Sequence, residues 1–175
     1  ELPYEREAHP YYAKQGEIKS VETIRHSITS HRGCYGECNF CAITVHQGTT
    51  VESRSMASIV REAEKISRMK DFKGYITDVG GPTANMYGIE CEKKLKSGQC
   101  RDKRCIYPGV CASLGVSHRK QTELLKRLRQ IKGIKKVFIG SGVRHDMVTV
   151  DSRHGREYMK ELVEHHVSGQ LKVAP

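Results

Sequence analysis

Three cysteines lie close together in the first quarter of the chain. Cys34, Cys38 and Cys41 have the spacing C-x3-C-x2-C within the string RGCYGECNFC. A loop that carries three nearby thiolates can hold one cubane 4Fe–4S cluster, and such clusters normally take four thiolate ligands. A trio leaves one iron without a protein ligand, so that iron can bind a substrate or a cofactor. The spacing therefore predicts a cluster with one open coordination position.

Zinc is the alternative metal for this loop. A structural zinc ion needs a fourth ligand, which His31 or His46 could supply. These two histidines could equally donate hydrogen bonds to cluster sulfurs, or simply pack against neighbouring residues. Gly33 and Gly36 allow the loop to curl without steric cost, and Phe40 can cover one face of a cluster. For this motif we favour the cluster over zinc.

Four further cysteines occur within a second, more basic stretch of the chain. Their spacing of x8, x4 and x5 matches neither the paired C-x2-C pattern of structural zinc nor a common ferredoxin run. Anionic thiolates around a metal would offset the repulsion among the surrounding Lys and Arg side chains. An auxiliary iron–sulfur cluster, a structural zinc ion and free or oxidised thiols all stay open. The four are Cys91, Cys100, Cys105 and Cys111.

The hydrophobic pattern predicts alternating strands and helices. Apolar segments predict strands at residues 21–30, 74–80, 136–141 and 171–174, and stripes with helical period predict helices at 56–69, 118–131 and 156–167. Ser53 or Ser55 could cap the first of these helices, and Gly133 ends the second. Repeated βα units favour a parallel sheet. We expect an α/β fold, part of a βα barrel, over residues 21–175. An irregular lead-in over 1–20 precedes it, and an irregular Cys-rich insertion interrupts it at about 88–116.

Length and composition set limits on the class of protein. The chain has 175 residues, of which 37% are hydrophobic and 29% charged, and a formal net charge of +10. We find neither a secretory signal nor an apolar run long enough to span a bilayer, so we expect a cytoplasmic protein without a membrane partner. An odd number of cysteines, seven, argues against a disulfide framework. Because the chain starts with Glu1 and ends with Pro175 in a predicted strand, we interpret it as a piece of a longer protein.

The C-x3-C-x2-C motif with an aromatic residue before its last Cys resembles the signature of the radical SAM superfamily. The stretches HRGCYGECNFCAITVHQG, SRSMASI, GGPTANMYG, IKGIKKVFIGSGVRHD and LKVAP resemble the YgiQ-type branch, whose members are much longer. The resemblance implies that the trio ligates a 4Fe–4S cluster and that S-adenosylmethionine (SAM) chelates the fourth iron. It also implies a one-electron donor such as flavodoxin or ferredoxin, and a 5′-deoxyadenosyl radical that takes hydrogen from an unknown substrate.

The resemblance also implies roles for residues that follow the predicted strands. Phe40 is expected near the adenine of the cofactor. Gly80 and Gly81 occupy the place where the family's GGE motif binds the methionyl amino group, although the third position here is Pro82. Backbone carbonyls would then have to replace the missing carboxylate.

Two residues after the third predicted strand complete this candidate cofactor site. Ser141 and Arg144 are expected at the carboxyl end of the sheet, where βα folds bind their ligands. Arg144 could pair with the cofactor carboxylate, or instead form a surface salt bridge with Asp146 or Asp151. Asp78 could face the cofactor or cap a turn.

Two kinds of function compete at this point. The first is a radical SAM enzyme of unknown substrate, and the second is a metal-stapled basic module that binds RNA or a protein partner without catalysis. The net charge also permits an enzyme that acts on nucleic acid, or merely a solvated basic surface. Adjacent helix residues point about 100 degrees apart, so His165 and His166 are interpreted as helix surface and not as a metal pair. The segment Gly140–Ser141–Gly142 lacks the Lys-Ser/Thr continuation of a phosphate loop.

Overall fold

A computed structural model of the chain describes residues 5–174, which form an α/β fold. A single 3₁₀ turn at Pro10–Tyr12 precedes the first helix. The helices are α1 (Lys19–Ile24), α2 (Ile43–Gln47), α3 (Met56–Ser67), α4 (Glu92–Ser97), α5 (Arg119–Arg129), α6 (His145–Val150) and α7 (Gly155–His165). The strands are β1 (Ser27–Thr29), β2 (His31–Arg32), β3 (Glu52–Ser53), β4 (Tyr75–Ile76), β5 (Asp78–Gly80) and β6 (Lys136–Val137).

The strands are short and pair mainly in parallel. β1 pairs with β5 so that Thr29 lies opposite Gly80, and β4 pairs with β6 so that Ile76 lies opposite Val137. The backbone N–H of Val79 donates to the carbonyl of residue 138 at 3.0 Å, which continues the second pairing past the end of β6. β2 and β3 form a separate antiparallel pair. Across residues 5–174 these pairs do not close into a barrel.

Amphipathic helices cover the parallel strands. Ile59 and Ile66 of α3 are fully buried against Ile28 and Val79, which project from β1 and β5. The hydroxyl of Ser55 accepts a hydrogen bond from the backbone N–H of residue 58 and so caps α3, as the sequence predicted. Helix α5 contributes Leu124 and Leu128 to the same core, and α7 packs Tyr158 and Leu162 into a neighbouring one.

Several elements differ from the prediction. Residues 21–30 were expected as one strand, but the chain is helical until Ile24 and extended only over β1. The N–H of Arg25 bonds to the carbonyl of Val21, and Glu22 in the first turn suits the helix dipole, so local bonding overrides β-branched propensity. The fourth predicted strand, at 171–174, is reduced to one parallel bridge between Val143 and Val173. Residues 1–4 of the predicted lead-in lie outside the described part of the chain.

The Cys-rich insertion is more ordered than its sequence suggests. Helix α4 lies within it, and an antiparallel bridge between Glu90 and Gly115 closes its base. Two of its cysteines are buried beside Ile106 in a core that also contains Tyr35. The insertion therefore packs directly on the loop that carries the first three cysteines. In the described range of 5–174, no helix is both long and apolar enough to cross a membrane.

Candidate functional site

The cysteine loop (residues 33–41) leaves β2 through a glycine that no other residue can replace without strain. Gly33 has φ +81°, and a Cβ at this position would lie 2.0 Å from the carbonyl oxygen of Thr50. Further along, a Cβ at Gly36 would lie 3.2 Å from the sulfur of Cys34 and 3.4 Å from that of Cys38. Gly36 thus lies close to both sulfurs, and a side chain at this position would crowd them.

The three cysteines of the loop differ in exposure. Cys34 is buried, whereas Cys38 and Cys41 are half-buried, and all are free thiols. Among the residues that the structure describes, no group of three or more His, Cys, Asp or Glu side chains converges on a single metal ion. Each thiolate of a 4Fe–4S cluster binds a different iron, so its ligands need not converge on one point. Three free cysteines on one loop, two of them with their sulfurs close to Gly36, fit an iron–sulfur cluster in their donor chemistry.

A short linking segment (residues 82–86) follows β5 and lies against the cysteine loop. The hydroxyl Oγ1 of Thr83 is 3.3 Å from the sulfur of Cys34. The backbone N–H of Tyr35 points to the sulfur of Met86 at 3.4 Å. The loop and the linking segment are thereby joined at two successive residues of the loop.

The Gly80–Gly81 pair lies where the carboxyl ends of β1 and β5 meet. A Cβ at Gly81 would lie 2.6 Å from both Nε2 and the carbonyl oxygen of His31, so the two chain segments are in direct contact there. The hydroxyl of Ser141 donates to the carbonyl oxygen of Gly81 at 2.9 Å. A cleft of about 290 Å³ opens at this edge, lined by Gly80, Gly81 and Pro82 together with Asp78 and His31. The structure therefore brings Gly80, Gly81 and Ser141 together.

Asp78 fixes a turn, one of the two roles that the sequence left open, and it also lines the cleft. Its Oδ1 accepts a hydrogen bond from the backbone N–H of Gly140 at 2.7 Å, which fixes the turn after β6. Its carboxylate also lies beside Gly80 and lines the cleft. Burial raises the pKa of Asp78, while the Gly140 hydrogen bond lowers it.

Arg144 lies at the start of α6 with its side chain mostly buried. Its Nε donates to Oδ1 of Asp146 at 3.1 Å, and Nη2 pairs with the other oxygen of the same carboxylate. This pair raises the pKa of Arg144, against a lowering by burial, and negative charge on Cys34 and Cys38 would raise it further. The alternative salt bridge with Asp146 is thus present, and the arginine also lies within electrostatic range of the cysteine loop.

Three other residues near the motif differ in their burial. Phe40 is 77% exposed, and its place near the adenine of the cofactor stays a prediction. His46 is exposed on α2. His31 is buried, but its Nε2 donates to the carbonyl of Thr83 at 3.0 Å and its Nδ1 accepts from Ser30. Burial lowers the pKa of His31 to about 4, so this histidine is a neutral packing residue.

The second group of cysteines divides into buried and half-buried pairs. Cys91 and Cys105 are each 6% exposed in one core, while Cys100 and Cys111 are half-buried. The buried amine of Lys94 donates to the carbonyl oxygen of residue 49 at 2.6 Å and lies 5.3 Å from the centre of the Tyr35 ring. Burial raises the pKa of Cys105, and a hydrogen bond from Lys94 acts in the opposite direction.

The interpretation of both C-terminal histidines as helix surface is wrong for His166. This residue is fully buried at the end of α7, where its Nδ1 lies 2.7 Å from the carbonyl of Val137 and its Nε2 lies 3.1 Å from Oε1 of Glu161. The helical spacing argument fails because His166 follows the last helical residue and turns inward over β6. His165 stays partly exposed.

A buried set of polar residues behind Arg144 carries no signal in the sequence. Asn85, His118 and Asp151 form consecutive hydrogen bonds and are all nearly inaccessible to solvent. They come from three separate parts of the chain, and none of them belongs to a periodic pattern. Asn85 lies within GGPTANMYG, one of the stretches that resemble the YgiQ-type branch.

Known proteins resemble this chain along its whole length. It is 55% identical over 174 residues to a UPF0313 protein of Fusobacterium nucleatum. The match covers 99% of this chain and 31% of that protein. It is 55% identical to a UPF0313 protein of Clostridium perfringens, of which it covers 26%. A UPF0313 protein of Methanosarcina acetivorans is 53% identical over 175 residues, or 23% of its length. The chain thus spans less than a third of the curated relatives it matches, and no protein-family model matches it.

Proposed function

We propose that this chain is the cluster-binding part of a radical SAM enzyme, as its resemblance to the YgiQ-type branch implies. Cys34, Cys38 and Cys41 would hold the cluster. A bound 4Fe–4S cluster supplies one electron for reductive cleavage of S-adenosylmethionine, which yields the 5′-deoxyadenosyl radical that takes hydrogen from an unknown substrate. The electron would come from a donor such as flavodoxin or ferredoxin.

One observation carries the proposal more than any other. Residues from separate parts of the sequence, each singled out for the same cofactor, meet at one edge of the parallel strands. Ser141 bonds to Gly81 at 2.9 Å, and the linking segment that follows Gly81 contacts Cys34 through Thr83 at 3.3 Å. Arg144 lies within electrostatic range of the same cysteine. This edge is where βα folds bind their ligands, and its contact with the cysteine loop supports a shared site.

The protein groups at this edge suit the methionyl end of the cofactor. The positive charge of Arg144 would attract the carboxylate, and the backbone at Gly81 would contact the amino group. Pro82 cannot supply the carboxylate of the family's third motif position. Asp78 offers one instead, because its side chain lies beside Gly80 in the same cleft. An ammonium group beside Asp78 would favour its ionised form against the effect of burial.

The wider architecture is consistent with this assignment. Parallel strands with helices between them are the units of a βα barrel. We propose that the strands form the first units of a radical SAM barrel, which the remaining part of a longer protein would complete. A protein of the length of the UPF0313 relatives has room for those units.

We further propose a metal for the second group of cysteines, either an auxiliary iron–sulfur cluster or a zinc ion. Cys91 and Cys105 share a core with Tyr35 of the cysteine loop, so a metal there would lie close to the catalytic cluster. A non-catalytic module for RNA or a protein partner is the competing function, and the basic charge is its support. Cleavage of SAM distinguishes the two functions, because only the enzyme would carry it out.

The experiment uses the full-length protein, reconstituted with iron and sulfide without oxygen and reduced with dithionite. We expect 5′-deoxyadenosine to accumulate after addition of SAM, as measured by liquid chromatography and mass spectrometry. A variant with Cys34, Cys38 and Cys41 replaced by Ala should form none, whereas a Cys100→Ala variant tests the second group separately. Absence of 5′-deoxyadenosine from the reconstituted wild type, with its cluster intact, would contradict the proposal.

A further inference from the structure

Asn85 holds the backbone of Arg144 at two points. Its Nδ2 donates to the carbonyl oxygen of Arg144 at 3.0 Å, and its Oδ1 accepts from the N–H of Arg144 at 2.7 Å. The Asn85 side chain is fully buried, so water cannot replace either bond. These two bonds fix the backbone on both sides of the Cα atom from which the arginine side chain extends.

His118 determines which way the Asn85 amide points. Its Nδ1 lies 2.8 Å from Oδ2 of Asp151, and its Nε2 lies 3.0 Å from Nδ2 of Asn85. An ionised carboxylate only accepts, so Nδ1 carries the hydrogen and Nε2 accepts from the amide. The amide nitrogen thus donates to His118 and Arg144, while the amide oxygen accepts from Arg144. A flipped amide would lose all three bonds.

Asp151 is itself fixed by the backbone. Its Oδ2 accepts from the N–H of His118 at 2.7 Å, and its Oδ1 accepts from the N–H of His154 at 3.0 Å. These bonds and His118 hold the pKa of Asp151 below its ordinary value against the effect of burial. The His118 ring also stacks on Tyr158, with 4.7 Å between ring centres. Hydrogen bonds and ring stacking therefore hold Asn85, His118 and Asp151 in place.

Asn85 lies next to the candidate cofactor site. Asn85 belongs to the same linking segment as Thr83, whose hydroxyl contacts Cys34. The linking segment is also bonded to the chain between β6 and α6, because the N–H of Ala84 donates to the carbonyl of Gly142 at 3.0 Å. A shift of Asn85 would move Arg144 relative to the cysteine loop.

We propose that Asn85, His118 and Asp151 form a buried relay of positioning residues that sets Arg144 for the carboxylate of the cofactor. The inference rests on the proposed function, in which Arg144 attracts that carboxylate. None of the three relay residues lines the cleft at Gly80 and Gly81, so each would act through Arg144. Outer residues that orient the ligands of a metal typically change affinity or activity by about tenfold to a hundredfold when replaced, and we expect an effect of that size for the relay.

The test compares two buried histidines that each bond to a carboxylate. His118→Phe keeps a ring against Tyr158 and removes both ring hydrogen bonds. His166→Phe is the matched control, because His166 is equally buried and pairs with Glu161, away from Arg144. SAM binding is measured by equilibrium dialysis on the reconstituted full-length protein. We expect His118→Phe to weaken binding by roughly tenfold or more and His166→Phe to change it by less than about twofold.

A double-mutant cycle separates positioning from a general loss of structure. In an Arg144→Ala background, His118→Phe should cause no further loss of SAM affinity. An equal loss with and without Arg144 would overturn the relay. Iron content and circular dichroism are measured for every variant. Should His118→Phe lose either, Asn85→Asp replaces it, since that change removes the amide donor at nearly constant volume.

The two proposals fail in different ways. Wild-type protein that carries its cluster but does not bind SAM overturns the proposed function, and the relay with it. Wild-type protein that binds SAM while His118→Phe and Asn85→Asp bind equally well overturns the relay alone. Weaker binding in His166→Phe to the same degree as in His118→Phe also overturns the relay.

Discussion

The hydroxyl oxygen of Thr83 lies 3.3 Å from the sulfur of Cys34, although 49 residues separate them in the sequence. The contact joins the cysteine loop to the segment that continues from β5. A thiolate only accepts hydrogen bonds, so with a cluster ligand at Cys34 the hydroxyl is the donor. Hydrogen bonds to cluster sulfurs favour the more negative, reduced state.

Replacement of Thr83 by Val should therefore make the reduction potential of the cluster more negative. Val keeps the shape of the side chain and removes the donor. We expect a shift of about 40 mV, the equivalent of about 1 kcal/mol for one electron. The measurement is a redox titration followed by electron paramagnetic resonance. Thr77→Val removes a hydroxyl bond to the Thr23 carbonyl elsewhere and is the control. An unchanged potential in Thr83→Val would show that the Thr83 hydroxyl donates no hydrogen bond to a cluster sulfur.

Gly81→Ala should destabilise the protein. The added Cβ would lie 2.6 Å from the carbonyl oxygen of His31, which is backbone and cannot move aside cheaply. Overpacking of this kind costs about 1–3 kcal/mol. Thermal unfolding followed by circular dichroism measures the loss. Gly109→Ala is the matched control, because no atom lies within 4 Å of its added Cβ. Equal stability of the two variants would show that β2 and the Gly80–Gly81 turn are not in the described contact.

His31 should make stability fall as the solution becomes acidic. Burial lowers its pKa from an ordinary value of 6.5 to about 4 in the folded protein. Below pH 6.5 His31 binds a proton in the unfolded chain but stays neutral in the folded chain. Stability is therefore lost between pH 6.5 and about 4. The loss is up to about 3 kcal/mol.

Unfolding by urea at pH 7 and at pH 4 tests this dependence. The His31→Gln variant should lose less stability than the wild type over that interval. His165→Gln serves as the control, because His165 is partly exposed at the end of α7. If His31→Gln and the wild type show the same pH dependence, His31 does not carry the effect.

Cys111 should react with iodoacetamide faster than Cys105 in metal-free protein. A hydrogen bond from the backbone N–H of Ser113, helped by Lys103, lowers the pKa of Cys111, whereas burial raises that of Cys105. The thiolate is the reactive form. Peptide mass spectrometry gives both rates in one sample at pH 7.5. Lys103→Gln should slow Cys111 alone, and faster alkylation of Cys105 would contradict the arrangement of the insertion.

Local patterns predicted the helices that cover the strands. The apolar stripes of α3 and α5 face one core, and Ser55 caps α3. The first predicted strand was wrong over residues 21–24, because a helical turn satisfies its backbone before β1 begins. Helices α2, α4 and α6 have five or six residues each, too few for a periodic signal.

The candidate site was predictable only where it carries a motif. Spacing and resemblance singled out the cysteine trio, the Gly80–Gly81 pair and Arg144. The relay behind Arg144 was missed, because Asn85 and His118 are 33 residues apart and Asn85 and Arg144 are 59 apart. Contacts over such distances depend on tertiary packing and leave no period in the sequence. The burial of His166 was missed for the same reason.

The most direct test of the central claim is the iron and sulfide content of the full-length protein after reconstitution without oxygen. The proposed function predicts about four irons that are lost together when Cys34, Cys38 and Cys41 are replaced by Ala, and about eight if the second group of cysteines also holds a cluster. Zinc in place of iron at the trio would contradict the radical mechanism and favour a binding module.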